Sequence, residues 1–215
     1  MHICFDWDGT LARKDVAEEA SLRRGKTLGL SMDPEWIAHA MKTHAHYKVN
    51  KEAIAKYTGI TDEQLLTTIM TDIFRFHYLA VVHEWKEKIF FEDIPDLLRE
   101  LKKQGHTISI ASTLRQDILD YSVKLMRMQA VIGLICANTP DLLYSKTDLV
   151  QKVVEGAGPV NIMVGDREED MQAGKAVGSK TIFVTWGAED EKKGIADTIV
   201  RTPVELLNAL IPDAA

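Results

Sequence analysis

A short apolar run, Ile3-Cys4-Phe5, opens the chain and ends on two acids in Asp6-Trp7-Asp8-Gly9-Thr10. From about residue 15 to 87 the apolar positions recur at helical rather than strand spacing. Asp33-Pro34 has the form of an N-cap with a first-turn proline, ahead of Trp36, Ile37, Ala40 and Met41 on one face. Gly59 is placed to end a helix. Thr61-Asp62-Glu63-Gln64 offers a capping box to the next one, which carries Leu65, Leu66, Ile69, Ile73 and Phe76. After Pro95 the rhythm becomes helix, then strand, four times over. Leu97, Leu98 and Leu101 lead to Gly105 and a strand over 107–111. Helices over 117–128, 147–155 and 171–177 precede strands over 131–136, 160–164 and 181–184. A last strand over 198–200 runs into a helix capped by Thr202-Pro203-Val204-Glu205. This alternation predicts an α/β fold, a Rossmann-like three-layer core whose mostly parallel sheet is covered on both faces. An all-helical insert separates its first strand from the rest, giving a core of 1–13 and 89–215 and a helical subdomain of 14–88.

Composition narrows the setting. A chain of 215 residues, 46% hydrophobic and 27% charged, is an ordinary globular one, long enough for a domain with an insert. A net charge of −6 argues against non-specific nucleic-acid binding, which needs a basic face. Cys4 and Cys136 both lie in apolar runs, so buried reduced thiols and a reducing compartment are expected. Acids appear by position 6, with no signal-peptide pattern ahead of them. The longest apolar run, 130–137, is too short to span a bilayer. A cytoplasmic protein with no membrane partner is expected; monomer and homodimer stay open.

The acid pair carries the chemistry. Carboxylates two apart are costly in a core but sensible at a strand's C-terminal tip, where α/β folds open a ligand crevice. There a carboxylate can hold a cation, attack an electrophile or pass a proton. An EF-hand loop starting at Asp6 would need glycine sixth and an acid twelfth, and Leu11 and Ala17 stand there instead. Three later segments put polar groups at or near strand ends: Ser112-Thr113, Lys146, and Gly165-Asp166 with Asp170 four residues on. Alone, these would be a helix N-cap, a solvated lysine and a strand-ending turn.

Together, and in this order, they resemble the motifs of the haloacid dehalogenase superfamily. The resemblance implies Asp6 as the nucleophile that forms an aspartyl-phosphate and Asp8 as the acid/base. Ser112, or Thr113 one residue on, matches the family's phosphate-contacting hydroxyl. Lys146 matches its lysine, although Thr147 stands where proline is frequent, and Lys152 is the nearest competitor. Asp6, Asp8 and Asp166 would hold the cation, with Asp170 hydrogen-bonding its waters, and Mg2+ suits such oxygen ligands. Dehalogenases of this kind carry tyrosine, and phosphonate-cleaving members alanine, where this chain has Asp8, so phosphate-ester chemistry is implied. The helical insert resembles a cap between the first and second motifs. Receiver domains also phosphorylate an aspartate, but not one on the first strand.

Lesser signals have plainer readings. His39, His44 and His46 lack a completed ligand set and read as a solvated helix face. Arg23-Arg24-Gly25-Lys26 reads as surface charge or as a basic edge for an anion. Lys56-Tyr57-Thr58 is either a substrate-reading loop or a helix terminus; Gly9, Thr10 and Arg115 are further candidates for phosphate contact. Trp7 reads as core packing, and Trp186-Gly187 resembles a dipeptide of phosphoglycolate-phosphatase-like members. The expectation is a magnesium-dependent phosphatase of a small phosphorylated metabolite, phosphoglycolate-phosphatase-like or β-phosphoglucomutase-like. A sugar-phosphate mutase or a non-catalytic phospho-ligand binder is the alternative.

Overall fold

The computed structural model describes residues 1–30, 45–140, 142–187 and 194–211, with the side chains of 45–47 left out. The chain divides into two compact units, Met1–Arg13 with Glu87–Ala215, and Lys14–Lys86. The second unit holds α1 (Lys14–Thr27), α2 (Ala45–Thr58) and α3 (Glu63–Trp85). In the first, β1 (His2–Phe5), β2 (Thr107–Arg115), β3 (Leu134–Asn138), β4 (Ile162–Gly165), β5 (Lys180–Val184) and β6 (Thr198–Val200) form one sheet. The helices α4 (Ile94–Lys103), α5 (Gln116–Leu125), α6 (Lys146–Ala157), α7 (Glu168–Ala176) and α8 (Pro203–Leu210) alternate with them.

The strand order is β3-β2-β1-β4-β5-β6, and every neighbouring pair is parallel. Side chains alternate between faces along each strand. Cys4, Ala111 and Met163 share a cluster with Leu149, Val150 and Val153 of α6. Ile3, Phe5, Ile108 and Ile110 take the opposite parity and are fully buried too. Both faces are therefore covered, as the helix-strand alternation requires. Both cysteines are free thiols, and burial pushes that of Cys4 up to about 12.

Several boundaries differ from the pattern, those of β2 and β3 among them. β3 begins three residues after the apolar run does, because the N–H groups of Val131 and Ile132 both turn back to the carbonyl of Met128. Ile132 is buried without being in a strand. β2 runs past 111 to Arg115, with a register irregularity between Ser112 and Arg115.

In the helical unit, Leu28, Ala53, Ile54, Leu66 and Met70 form a small core. Gly59 ends α2 at φ +72°. The N-cap of α3 is Asp62 rather than Thr61: its carboxylate accepts from the N–H of Leu65 at 2.7 Å. That register puts Leu65 where a capping box needs an acid or amide. Arg23 and Arg24 form no free basic edge: Arg23 forks onto Glu84 at 2.8 Å and reaches Glu19, and Arg24 lies over the ring of Phe74. One apolar helix exceeds the run at 130–137, since Glu63–Ile89 is long and apolar enough to cross a bilayer. Its inner face is nevertheless used within this unit, with Leu66, Met70, Tyr78, Val81 and Val82 buried and α1 and α2 packed alongside. The helix expected from Asp33 through Met41, with His39 and His44, lies outside the described residues, as does the His46 side chain.

Candidate active site

The chain leaves β1 for β2 on one side of the sheet and later enters β4 on the other. A reversal of this kind opens a crevice at the strands' C-terminal ends. Asp6 sits there: its N–H continues the ladder to the carbonyl of Val164 at 2.9 Å, while its side chain is buried. The loop behind it is tight. Leu11 and Ala12 donate to the carbonyl of Trp7 at 3.0 and 2.9 Å, and Gly9 donates to Ala12 at 2.7 Å. Gly9 has φ +86°, which a residue with a side chain adopts only at a cost. Trp7 is fully buried with its ring edge-on to Phe90, so core packing accounts for it. Asp8 stands in this loop, half-buried.

Lys146 is the first residue of α6, behind an N-cap in which Ser145 and Asp148 bond reciprocally. Its ammonium donates to Asp6 and, at 3.0 Å, to the carbonyl of Ala111, and lies 3.0 Å from Asp170 Oδ1. Burial works against the charged ammonium, but the carboxylates of Asp170 and Asp6 outweigh it and raise its pKa above the ordinary lysine value. Lys152 goes elsewhere, its ammonium over the ring of Tyr144, 4.3 Å from the centroid. The helix explains the choice. Lys146, Leu149, Val150 and Val153 form the buried stripe of α6 at i, i+3, i+4 and i+7, and Lys152 lies off it.

Asp166 follows β4 directly, and Asp170 comes back from the first turn of α7, its Oδ2 accepting from the N–H of Arg167 at 3.0 Å. Both are fully buried. Thr10 Oγ1 donates to Asp166 Oδ1 at 3.3 Å, so its hydroxyl serves the acid cluster. Burial pushes the Asp170 carboxyl up to about 7; Lys146 opposes this, and the charges of Asp6 and Asp166 add to it. One ligand oxygen from each of Asp6, Asp166 and Asp170 lies within 4.8 Å of the others. Three buried carboxylates around one lysine make a hard, oxygen-only and net negative donor set, which fits a divalent cation of the magnesium type. By side-chain oxygens the grouping holds Asp6 and Asp166 of the expected set and adds Asp170, which the sequence reading placed behind them, while Asp8 is not in it. Among the described residues it is the one such group.

The remaining candidates separate. Ser112 is buried at the mouth of β2, its Oγ accepting from the N–H of Leu114 at 3.2 Å. Thr113 is exposed, and its carbonyl accepts from Asn138 at 2.8 Å. Arg115 forks onto Asp117 at 3.2 and 3.0 Å, a structural use of a residue considered for phosphate. Lys56, Tyr57 and Thr58 form the C-terminal end of α2 in the helical unit, where Thr58 bonds back to the carbonyl of Ile54. Two features went unread as site parts. Arg167 stands next to Asp166, paired with Glu169 at 3.5 Å. Trp186 donates from Nε1 to the carbonyl of Thr10 at 3.0 Å, a contact across 176 positions that no local pattern signals.

The chain is similar to known proteins. The chain is 24% identical to a phosphoglycolate phosphatase of Aquifex aeolicus over 97% of its length and 95% of the relative's. It is 24% identical to pyrophosphatase PpaX of Bacillus cereus, over 86% of this chain and 82% of the other. Among solved structures, CbbY from Rhodobacter sphaeroides in complex with phosphate superposes with a TM-score of 0.71 at 19% identity, covering 95% of each chain. A predicted phosphatase from Clostridium acetobutylicum gives 0.71 at 21%, covering 97% of each. These two show the same fold. The model of the haloacid dehalogenase-like hydrolases matches residues 3–184, and the chain belongs to that family, among its phosphatases.

Proposed function

We propose that this protein is a magnesium-dependent phosphatase that hydrolyses a small-molecule phosphate monoester through an aspartyl-phosphate on Asp6. The observation that carries the reading is the pinning of Asp6 by Lys146 beside Asp166 and Asp170, at the mouth between β1 and β4. Asp6 attacks phosphorus, forming a carboxyl O–P bond as the ester P–O bond breaks. Asp8 gives its proton to the departing alkoxide, then takes one from the water that attacks phosphorus and frees Asp6 with release of inorganic phosphate. Ser112 donates a hydrogen bond to a phosphoryl oxygen, and the Lys146 ammonium offsets the charge that gathers there. Thr113 borders the phosphate through its backbone and Thr10 steadies Asp166, while Gly9, whose N–H goes to the Ala12 carbonyl, serves the turn of the loop rather than the phosphate. Asp6 and Asp166, with Asp170 beside them, would hold the magnesium ion, which when bound supplies positive charge to the phosphoryl oxygens.

The domain division belongs to the same reading, with 1–13 and 89–215 doing the chemistry and the helical cap of 14–88 reading the rest of the substrate. The relatives named above are a phosphatase and a pyrophosphatase, which favours water over a sugar hydroxyl as the acceptor. Phosphoglycolate and pyrophosphate are therefore the first compounds to test, in a panel of phosphorylated metabolites with and without magnesium. Phosphate release that needs magnesium and disappears in Asp6→Asn is expected. Turnover by Asp6→Asn, or undiminished turnover after chelation, would overturn the mechanism.

A further inference from the structure

Trp186 and Gly187 come off the end of β5 onto the loop that carries Asp8. Trp186 Nε1 donates to the Thr10 carbonyl at 3.0 Å. A methyl group on Gly187 would overlap the Gly9 carbonyl and Cα, so these two backbones are in direct contact and nothing larger than glycine fits at 187. The Trp186 ring also meets Phe91 edge-on, 6.3 Å between centroids, and the Phe91 N–H donates to the Leu11 carbonyl at 3.2 Å. Residues 9, 10 and 11, which follow Asp8, are thus each held from the 186–187 side, two of them directly. Inside the loop the N–H groups of residues 10 to 12 are gathered onto the Trp7 carbonyl. The carbonyls of Gly9 and Thr10 face outward and are met by the dipeptide. Thr10 in turn donates to Asp166.

We propose that Trp186 and Gly187 are positioning residues: an indole N–H and a side-chain-free backbone that clamp the Gly9-Thr10 carbonyls and so fix where Asp8 presents its carboxyl. The inference rests on the reading of Asp6 as nucleophile and Asp8 as acid/base. A burial role for Trp186 would need only its ring. The clamp needs the N–H, because that atom ties the β5 end to the loop. An error of about 1 Å in a proton-transfer group costs on the order of a hundredfold in rate, so a tether of this kind acts on kcat more than on binding.

Trp186→Phe keeps a ring against Phe91 and removes only the donor. With p-nitrophenyl phosphate and saturating magnesium, kcat is expected to fall roughly 10- to 100-fold, with KM and the melting temperature essentially unchanged. Gly187→Ala should act in the same direction; if it folds poorly, Trp186→Phe decides alone. In an Asp8→Asn background the Trp186→Phe change should add less than about twofold, since residues acting through one group are not additive. A kcat for Trp186→Phe within about twofold of the parent, or a full effect persisting without Asp8, overturns the clamp. Asp6→Asn, run alongside, separates the two readings: activity there removes the nucleophile assignment. An inactive Asp6→Asn with an unaffected Trp186→Phe removes the clamp alone.

Discussion

Gly165 and Asp170 share one space: a methyl group on Gly165 would overlap the Cβ, Cγ and Oδ2 atoms of Asp170. The last residue of β4 has no side chain because the acid five positions on folds back over it. From there Asp170 reaches Lys146 and caps α7 through the Arg167 N–H.

Gly165→Ala should therefore destabilise the protein by about 1–3 kcal/mol, the usual cost of overpacking a tight site. Phosphatase activity should fall with it as Asp170 is displaced. Combining it with Asp170→Gly, which removes the clashing Cβ along with the carboxyl, should recover part of the stability but none of the activity. Urea unfolding of the three variants checks the first point and turnover the second.

The acid cluster makes stability depend on the cation. Asp6, Asp166 and Asp170 are buried together with one lysine between two of them, so a divalent ion binding there favours the folded state. Magnesium at a hundredfold excess over its Kd should add about 2.7 kcal/mol, visible as a rise in melting temperature. Asp166→Asn should lose most of that rise. An unchanged response would place the stabilising ion elsewhere.

Much of this was legible in the sequence, for reasons that can be named. The acid pair after β1, the Gly-Asp after β4 and the helix-strand alternation are local patterns, and each corresponds to a local element. Even Lys146 over Lys152 was within reach, because only Lys146 is in helical register with Leu149, Val150 and Val153. What stayed hidden was decided by tertiary contact. Thr10 turns to Asp166 and Trp186 reaches Thr10, choices of partner that spacing does not encode; Arg115 is instead taken up locally, by Asp117 two residues on. The start of β3 failed for a related reason: Val131 and Ile132 are apolar enough for a strand, but the turn onto Met128 claims their N–H groups.

At the far edge of the sheet, Asp197 is held by the Lys175 ammonium and by the N–H and hydroxyl of Thr181 at 2.8 and 2.9 Å. Lys175 first, then these hydrogen bonds, lower its carboxyl from 3.8 to about 2. A carboxyl depressed in the fold contributes stability above its unfolded pKa and loses it as pH falls through the folded one. The contribution should be complete above about pH 5, fall progressively through the range between, and be gone near pH 1. Asp197→Asn should flatten the acid-unfolding profile in that window and leave it unchanged near neutrality in shape. Guanidinium midpoints collected between pH 2 and 6 test this directly.

The two lysines of α6 give the sharpest contrast. Lys146→Met removes the only ammonium that touches Asp6 and Asp170 among the described contacts, leaving two carboxylates buried without it. Breaking a buried pair from one side costs roughly 3–5 kcal/mol, relieved at lower pH as the Asp170 carboxyl, raised by burial, takes up a proton. Turnover should fall on the order of 100- to 1,000-fold, as when a preorganised donor to developing charge is lost. Lys152→Met forfeits a cation–π contact with Tyr144, worth about 0.5–1 kcal/mol on a partly exposed surface, and should keep kcat within about twofold. Steady-state rates for the pair, with folding checked by urea titration, decide the matter. An active Lys146→Met beside an inactive Lys152→Met would reverse the assignment of the site's lysine.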